Sequence, residues 1–201
     1  MSGGGMAGGM GGGEGTGNGG AGEDEGERPG SRSRSGSSRV SPGGQGKDAT
    51  ALLKQDHQRV KRLFEQFERA RESTQRLELF QALRNELQVH ATLEEEIFYP
   101  DVERQRQPDL EEQVREAHQE HDEAKQLLAR GEGLAGDSEE LEEVVTSLRE
   151  AVEHHVREEE GEMFPRAREV FSAAQLEQIG ARLLARKKEL VEQGIREMAE
   201  V

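Results

Sequence analysis

The sequence predicts an all-α protein: an up-down antiparallel four-helix bundle with an extra C-terminal helix and a disordered Gly-rich N-terminal tail. Apolar residues recur at spacings of three and four from about residue 48 to the mid-190s, which is the pattern of one helix face. No stretch alternates apolar and polar residues as a half-buried strand does. The connections between the helical stretches are short, which favours antiparallel packing of successive helices.

Residues 1–47 differ in composition from the rest of the chain. They hold nineteen of the 25 glycines, whereas all seven phenylalanine and tyrosine residues lie later. Because it has nothing to bury, we expect this segment to be disordered. The Ser-Arg-Ser-Arg cluster at residues 31–34 fits a solvated tail best, and a phosphorylated or partner-binding segment less well.

Composition also excludes several classes of function. The chain has no cysteine, which rules out disulfides, thiolate metal sites and cysteine catalysis. It has no apolar run of membrane length and no apolar signal segment near Met1. The net charge of −15 belongs entirely to residues 48–201, and solvated glutamate faces are its simplest explanation. Such a domain repels nucleic acid and anionic membrane, so we expect neither as a partner. Because no signal or membrane segment is apparent, we expect a cytoplasmic protein.

The first two helices follow from their apolar stripes. The first helix should start near Asp48, and its stripe consists of Leu53, His57, Val60, Phe64 and Phe67. The second spans roughly residues 74–98, and Pro100 should prevent its continuation. Its stripe consists of Leu79, Leu83, Leu87, His90, Glu94 and Ile97.

Three further helices complete the chain. Pro108 suits the first turn of the third helix, and Gly131 fits just past its end. Ser138 is a good N-cap for the fourth helix, which should run to about Met163. Ser172 opens a capping box for the fifth helix, which should reach the mid-190s. The expected segments are a tail at 1–47, a bundle at 48–168 and a C-terminal helix at 169–201.

The first helical hairpin resembles the second. A His-x-x-x-Glu stretch occurs twice, as His90 to Glu94 and as His155 to Glu159, and a proline lies ten residues beyond each histidine. The segment that begins at His57 resembles the segment that begins at His121, and the following histidine is 33 residues further on in the first case and 34 in the second. Two similar hairpins packed with approximate two-fold symmetry would bring both His-x-x-x-Glu pairs to one level of the bundle.

This pattern predicts a metal site. A single histidine on an apolar stripe is most simply a hydrogen-bonded core residue, but here four helices each place one at a matching depth. Two carboxylates lie one turn beyond two of them, where an unpaired charge is costly. Imidazole with carboxylate suits iron, manganese or zinc, and this number of donors suits two ions better than one. Glu94 and Glu159 would bridge the ions, leaving open positions for a small molecule.

Several neighbouring residues have two interpretations. His118 lies at the edge of its stripe, so a ligand role stays open beside a surface position. His154 should be exposed, because it lies about 100° around the helix from its neighbour. Glu95 and Glu160 are either outer partners of the ligands or part of a solvated face. Tyr99 should pack near the end of the second helix, and nothing in the pattern supports a redox role for it.

At these residues the sequence resembles the hemerythrin-like, or HHE cation-binding, family. The motifs Asp56-His57, His90-x-x-x-Glu94, His121 and His155-x-x-x-Glu159 match the family's order, and the likeness covers about residues 48–165. The resemblance implies a four-helix bundle that holds two iron ions in a non-haem di-iron centre, with a further C-terminal helix common in bacterial members. The ligands that it implies are His57, His90, Glu94, His121, His155 and Glu159.

The resemblance also bounds the expected function. Ala117 stands where oxygen-carrying hemerythrin has a further histidine, and Glu159 replaces an aspartate that lies one residue later in that protein. Simple reversible oxygen transport is therefore not expected. We expect a di-iron protein that binds O2, peroxide or nitric oxide for sensing, protection or iron handling. Two alternatives stay open: an enzyme that turns over peroxide or nitric oxide, and a metal-stabilised helical module that binds a protein partner.

Overall fold

A computed structural model describes residues 47–199, with side chains as far as residue 193. Seven α-helices follow one another in this range: α1 (Ala49–Arg69), α2 (Ser73–Leu93), α3 (Tyr99–Glu103), α4 (Pro108–Gly131), α5 (Glu139–Glu158), α6 (Phe164–Val170) and α7 (Ala173–Ala199). Residues 47–199 contain no β-strand, which confirms the all-α prediction. The predicted disordered tail, apart from Lys47, lies outside the described residues.

Helices α1, α2, α4 and α5 form a four-helix bundle, in which each hairpin packs against the other. The core of the bundle consists of two apolar clusters. One lies around Phe64, Leu83 and Leu148, and the other lies around Leu53 and Phe98. In each of the four helices, the histidine of the predicted metal site falls in the sequence between the residues of one cluster and those of the other. The bundle therefore encloses a polar layer between two apolar layers.

The predicted helix starts are confirmed by their capping contacts. The side chain of Asp48 accepts a hydrogen bond from the backbone N–H of Ala51, and Ser138 caps α5 through the N–H of Leu141. Ser172 and Gln175 form the reciprocal contacts of a capping box at the start of α7. These contacts satisfy backbone donors that have no partner within the helix.

The prediction that Pro100 ends the second helix was wrong. A π-helical turn at Glu94–Phe98 joins α2 directly to α3, and a second one at Glu159–Met163 joins α5 to α6. Pro100 lies in the first turn of α3, where a missing N–H is tolerated. Pro165 has the same place in α6, so the fourth helical segment also continues beyond the predicted Met163.

Helix α7 packs against α1, α2 and the first π turn. Leu176, Ile179 and Leu183 bury its apolar face in the cluster that contains Leu53. The Cα of Gly180 faces the start of α1 so closely that a Cβ there would lie 2.3 Å from the carbonyl oxygen of residue 47. No helix in the described range is both long and apolar enough to cross a membrane.

Candidate metal centre

The six predicted ligands converge in the polar layer of the bundle, and all six are buried. α1, α2, α4 and α5 each contribute one histidine, and the two glutamates are the first residues of the two π turns. The register predicted for α5 is correct: His155 and Glu159 point inward, whereas 54% of the His154 side chain is exposed. The structure thus brings together all the residues that the sequence predicted.

In the first half of the cluster, two histidines meet at their Nε2 atoms. The Nε2 atoms of His57 and His90 are 3.1 Å apart. His57 Nε2 lies 3.3 Å from Glu159 Oε2, and His90 Nε2 lies 3.1 Å from Glu94 Oε2. His57 therefore contacts the carboxylate of the other hairpin, and His90 contacts the carboxylate that lies one turn beyond it. Both carboxylates face this pair of histidines.

The second half repeats this arrangement. The Nε2 atoms of His121 and His155 are 3.3 Å apart. His121 Nε2 lies 3.3 Å from Glu94 Oε2, and His155 Nε2 lies 3.4 Å from Glu159 Oε2. Both glutamates thus contact one histidine of each pair, which is the position of a group that bridges two ions.

Some polar atoms of this cluster have no hydrogen-bond partner among the described residues. Glu94 Oε1, Glu159 Oε2 and His90 Nδ1 are buried and have no hydrogen-bond partner among the described residues. An unpaired buried carboxylate oxygen is costly, and a bound cation removes that cost. Four of the residues, His57, His90, Glu94 and Glu159, each offer one ligand atom within 4.8 Å of the others, and Glu94 forms a second such group with His121 and His155. The residues present therefore fit two metal ions.

The two carboxylates differ in their affinity for a proton. Burial, together with the charge of Glu159, raises the pKa of Glu94 above its ordinary value. Burial acts in the same direction on Glu159, but the neighbouring charges of His155 and His57 outweigh it and lower the pKa of Glu159.

The histidines also divide into two kinds. Burial lowers the pKa of His57, but the adjacent carboxylates of Glu159 and Glu160 outweigh burial and raise it to about 10. The same balance raises the pKa of His121 to about 9. Burial and the charge of His57 hold the pKa of His90 well below its usual range. Protons thus occupy part of the cluster near neutral pH, and a metal ion has to displace them.

Glu95 and Glu160 hold the outer nitrogens of two histidines. Glu160 Oε1 lies 2.9 Å from His57 Nδ1, and Glu95 Oε1 lies 2.9 Å from His121 Nδ1. A carboxylate at Nδ1 fixes the proton there and leaves Nε2 free to bind a metal. Of the two interpretations left open by the sequence, the outer-partner role is the one that the geometry supports.

Glu120 has the same role and was not identified from the sequence. Its Oε2 lies 2.9 Å from Nδ1 of His155. A signal was available, because the repeat pairs Glu120, which precedes His121, with Asp56, which precedes His57. Asp56 itself forms an ion pair with Lys187 of α7 at 2.5 Å.

Tyr99 is a second residue that sequence reasoning missed. It is fully buried, and its hydroxyl donates to Glu159 Oε1 at 2.9 Å and lies 3.3 Å from Glu94 Oε2. Burial and the two carboxylates raise its pKa well above the ordinary value, so it stays protonated. In the repeat, Phe164 occupies the equivalent position and stacks on His57, as Tyr99 stacks on His121. The hydroxyl of Tyr99 is therefore one difference between the two halves of the cluster.

Two other histidines lie outside the cluster. His118 is exposed, and its ring meets the edge of the Tyr99 ring at a centroid distance of 5.3 Å. It belongs to none of the groups of potential ligands, which favours the surface position over the ligand role. His154 belongs to a separate, partly exposed group with Glu120 and Glu158.

A small apolar cavity adjoins the imidazole face of the cluster. Its volume is about 40 Å³. All four buried histidines line it, and aliphatic side chains close it on the other sides: Val60, Leu87, Ala124, Leu128, Val152 and Val156. A molecule in this cavity would contact the centre without contacting charged groups other than Glu120 and Lys125 at its rim.

Residues 48–167 match the family described as the hemerythrin HHE cation binding domain. Among solved structures, the chain is similar to a hemerythrin HHE cation binding domain-containing protein from Mycobacterium kansasii, with a TM-score of 0.67 and 26% identity, covering 76% of this chain and 93% of that one. Among curated proteins, it is 29% identical over 155 residues to a DNA nickase from Nostoc sp. (strain PCC 7120). That match covers 76% of this chain but spans only 43% of the length of the relative.

Proposed function

The chain belongs to the hemerythrin HHE cation-binding family, and on that premise we propose that it holds a non-haem di-iron centre that binds O2, peroxide or nitric oxide. One observation carries the proposal: two buried carboxylates, each with an unpartnered oxygen, lie between two pairs of imidazole Nε2 atoms. Imidazole with carboxylate suits iron, and this number of donors suits two ions better than one.

The chain's own residues prepare the centre for metal. Glu94 and Glu159 would bridge the two ions, while His57 and His90 would complete one site and His121 and His155 the other. Bound iron would supply redox and Lewis-acid chemistry at the positions that the protein leaves open. The outer glutamates keep a proton on Nδ1 of three of the histidines and so orient the Nε2 lone pairs.

The size and lining of the cavity select the small molecule. A volume of about 40 Å³ holds roughly three water molecules, since one water needs about 10–15 Å³ on the same measure. A diatomic molecule or a peroxide fits such a space beside the centre. Its mostly aliphatic lining favours a neutral ligand, because a charged one would lose its hydration without a partner.

A sensing, protective or iron-handling role follows from this proposal. Turnover of peroxide or nitric oxide at the same open positions is the enzymatic alternative, and a metal-stabilised helical module that binds a protein partner is the structural one. The net charge of −15 disfavours contact with nucleic acid, so the DNA-directed activity of the Nostoc relative is not part of the proposal. A cytoplasmic location stays a prediction.

Metal analysis of the purified protein tests the proposal. Saturation with ferrous iron under anaerobic conditions should give two ions per chain, and oxidation should produce the visible spectrum of a coupled di-ferric centre. A ratio of one ion per chain would exclude a dinuclear centre. Colourless protein that is isolated with zinc would favour the structural module.

A further inference from the structure

An acidic pocket opens beside the centre on the face formed by α4 and α5. Its volume is about 60 Å³. Five glutamates line it, together with Gln113, Ala117 and Met163: Glu116, Glu120, Glu158, Glu159 and Glu162. Among the described side chains, no lysine or arginine forms an ion pair with any of these five. The pocket therefore concentrates negative charge that the protein does not neutralise.

A group of potential metal ligands lies on this face. His154 Nε2 is 3.3 Å from Glu120 Oε1 and 3.3 Å from Glu158 Oε1. The three residues form one of the groups whose ligand atoms all lie within 4.8 Å of one another. His154 and Glu158 are accessible, with 54% and 43% of their side chains exposed, whereas 16% of Glu120 is exposed. The group has one imidazole and two carboxylates, which suits a divalent transition metal.

The pocket reaches from this group to the buried centre. Glu159, whose side chain is 1% exposed, lines the same pocket, and its Oε2 atom has no hydrogen-bond partner among the described residues. The side chain of Glu120 belongs to both sites, because one oxygen faces His154 and the other accepts from Nδ1 of His155. The pocket is thus lined both by the buried Glu159 of the centre and by two members of the partly exposed ligand group, Glu120 and Glu158.

We propose that Glu120, His154 and Glu158 form an uptake site for ferrous iron, from which the ion passes through the acidic pocket to Glu159. This inference rests on the proposed di-iron function and assigns the route by which iron reaches the centre. A cation that enters the pocket meets carboxylate ligands at each stage of its way to the centre. The cavity on the imidazole face has only Glu120 as a carboxylate among its lining residues, whereas five glutamates line the acidic pocket, so the cavity serves the small molecule and the acidic pocket serves the metal.

The kinetics of metal uptake test this route. Metal-free, full-length protein is mixed with Co2+ in a stopped-flow instrument, and the visible absorption of the ion with two imidazole ligands, which His154 alone cannot give, reports its arrival at the centre. The double variant His154→Ala, Glu158→Gln should take up Co2+ roughly tenfold more slowly than the wild type, because the local cation concentration at the pocket falls. Metal content after prolonged incubation with Fe2+ should equal that of the wild type. Glu120 is left unchanged because it also holds His155.

Glu150→Gln provides the matched control. Glu150 is an exposed glutamate on α5 whose removal changes the net charge by the same amount away from the pocket. Its uptake rate should equal that of the wild type. An unchanged rate in the double variant overturns the route, and so does a lower final metal content, because the two residues would then be ligands of the centre. The two-ion stoichiometry of the wild type tests the centre itself and is measured separately.

Discussion

Glu94 and Glu159 are the least exposed carboxylates among the described residues, at 0% and 1%. Each contacts one histidine of both pairs, so removing either should affect both ions rather than one. We predict that Glu94→Ala or Glu159→Ala reduces bound iron to less than half of the wild-type content. The measurement is iron content per chain after anaerobic loading, together with the thermal unfolding midpoint.

His118→Ala and His154→Ala are the controls for these variants. Both histidines lie outside the buried cluster, so both variants should retain two ions at equilibrium. The uptake route predicts a slower approach to that content for His154→Ala, but not a lower end point. If His154→Ala empties the site while Glu159→Ala keeps both ions, then His154 and Glu158 rather than His155 and Glu159 are the ligands on α5.

Residue spacing explains why the six cluster residues were predictable and Tyr99 was not. A histidine and a glutamate four apart lie on one face of an α-helix, so the pattern shows directly in the sequence. Tyr99 follows Glu94 by five residues, which in an α-helix places the two roughly 140° apart. The π turn between them widens the helix and brings the hydroxyl of Tyr99 onto the carboxylates.

At the scale of elements, the two π turns were the part of the fold that the sequence did not predict. The caps at Asp48 and Ser138 were predictable because they depend on side chains of a known type at a helix start. A π turn has no such local signal, and Pro100 instead suggested an end. Each turn begins at one of the two buried glutamates of the cluster, and π turns often occur at functional sites.

Helix α7 should depend on the close approach at Gly180. Gly→Ala within a helix ordinarily stabilises it by about 1 kcal/mol, but here the added Cβ would lie 2.3 Å from a backbone carbonyl oxygen. We predict that Gly180→Ala lowers the free energy of unfolding by about 1–3 kcal/mol, because α7 has to move away from α1. Denaturant unfolding measures the change.

Gly161→Ala is the comparison for this variant. A Cβ at Gly161 would meet nothing within 4 Å, so the free energy of unfolding should stay the same or rise. Iron content should remain at the wild-type level in Gly180→Ala, because α7 contributes no residue to the buried cluster. Equal effects of the two substitutions would show that helix propensity, rather than the contact with the start of α1, determines the result.

At the scale of the whole molecule, metal binding and folding are linked through the protons of the polar layer. In the metal-free bundle, the pKa of His57 is about 10 and that of His121 is about 9, and the pKa of Glu94 is also raised. A histidine whose pKa rises on folding contributes stability fully below its unfolded pKa of about 6.5. That contribution is lost as the pH rises through the folded value. The raised pKa of Glu94 also makes the folded state less stable as the pH rises, because this buried carboxyl group then becomes charged.

Metal ions change the direction of this pH dependence, since they bind the unprotonated imidazoles and stabilise the folded state. For each proton that the metal displaces from the centre, the apparent metal affinity rises about tenfold per unit increase in pH. We therefore predict that the difference in unfolding midpoint between the iron-loaded and metal-free protein widens as the pH rises from 6.5 to 9. Thermal unfolding of both forms under anaerobic conditions measures it. In Glu159→Ala, the iron-loaded and metal-free forms should have nearly the same unfolding midpoint at any pH. If the wild-type difference in midpoint stays constant or narrows as the pH rises, the buried histidines are already unprotonated in the metal-free bundle.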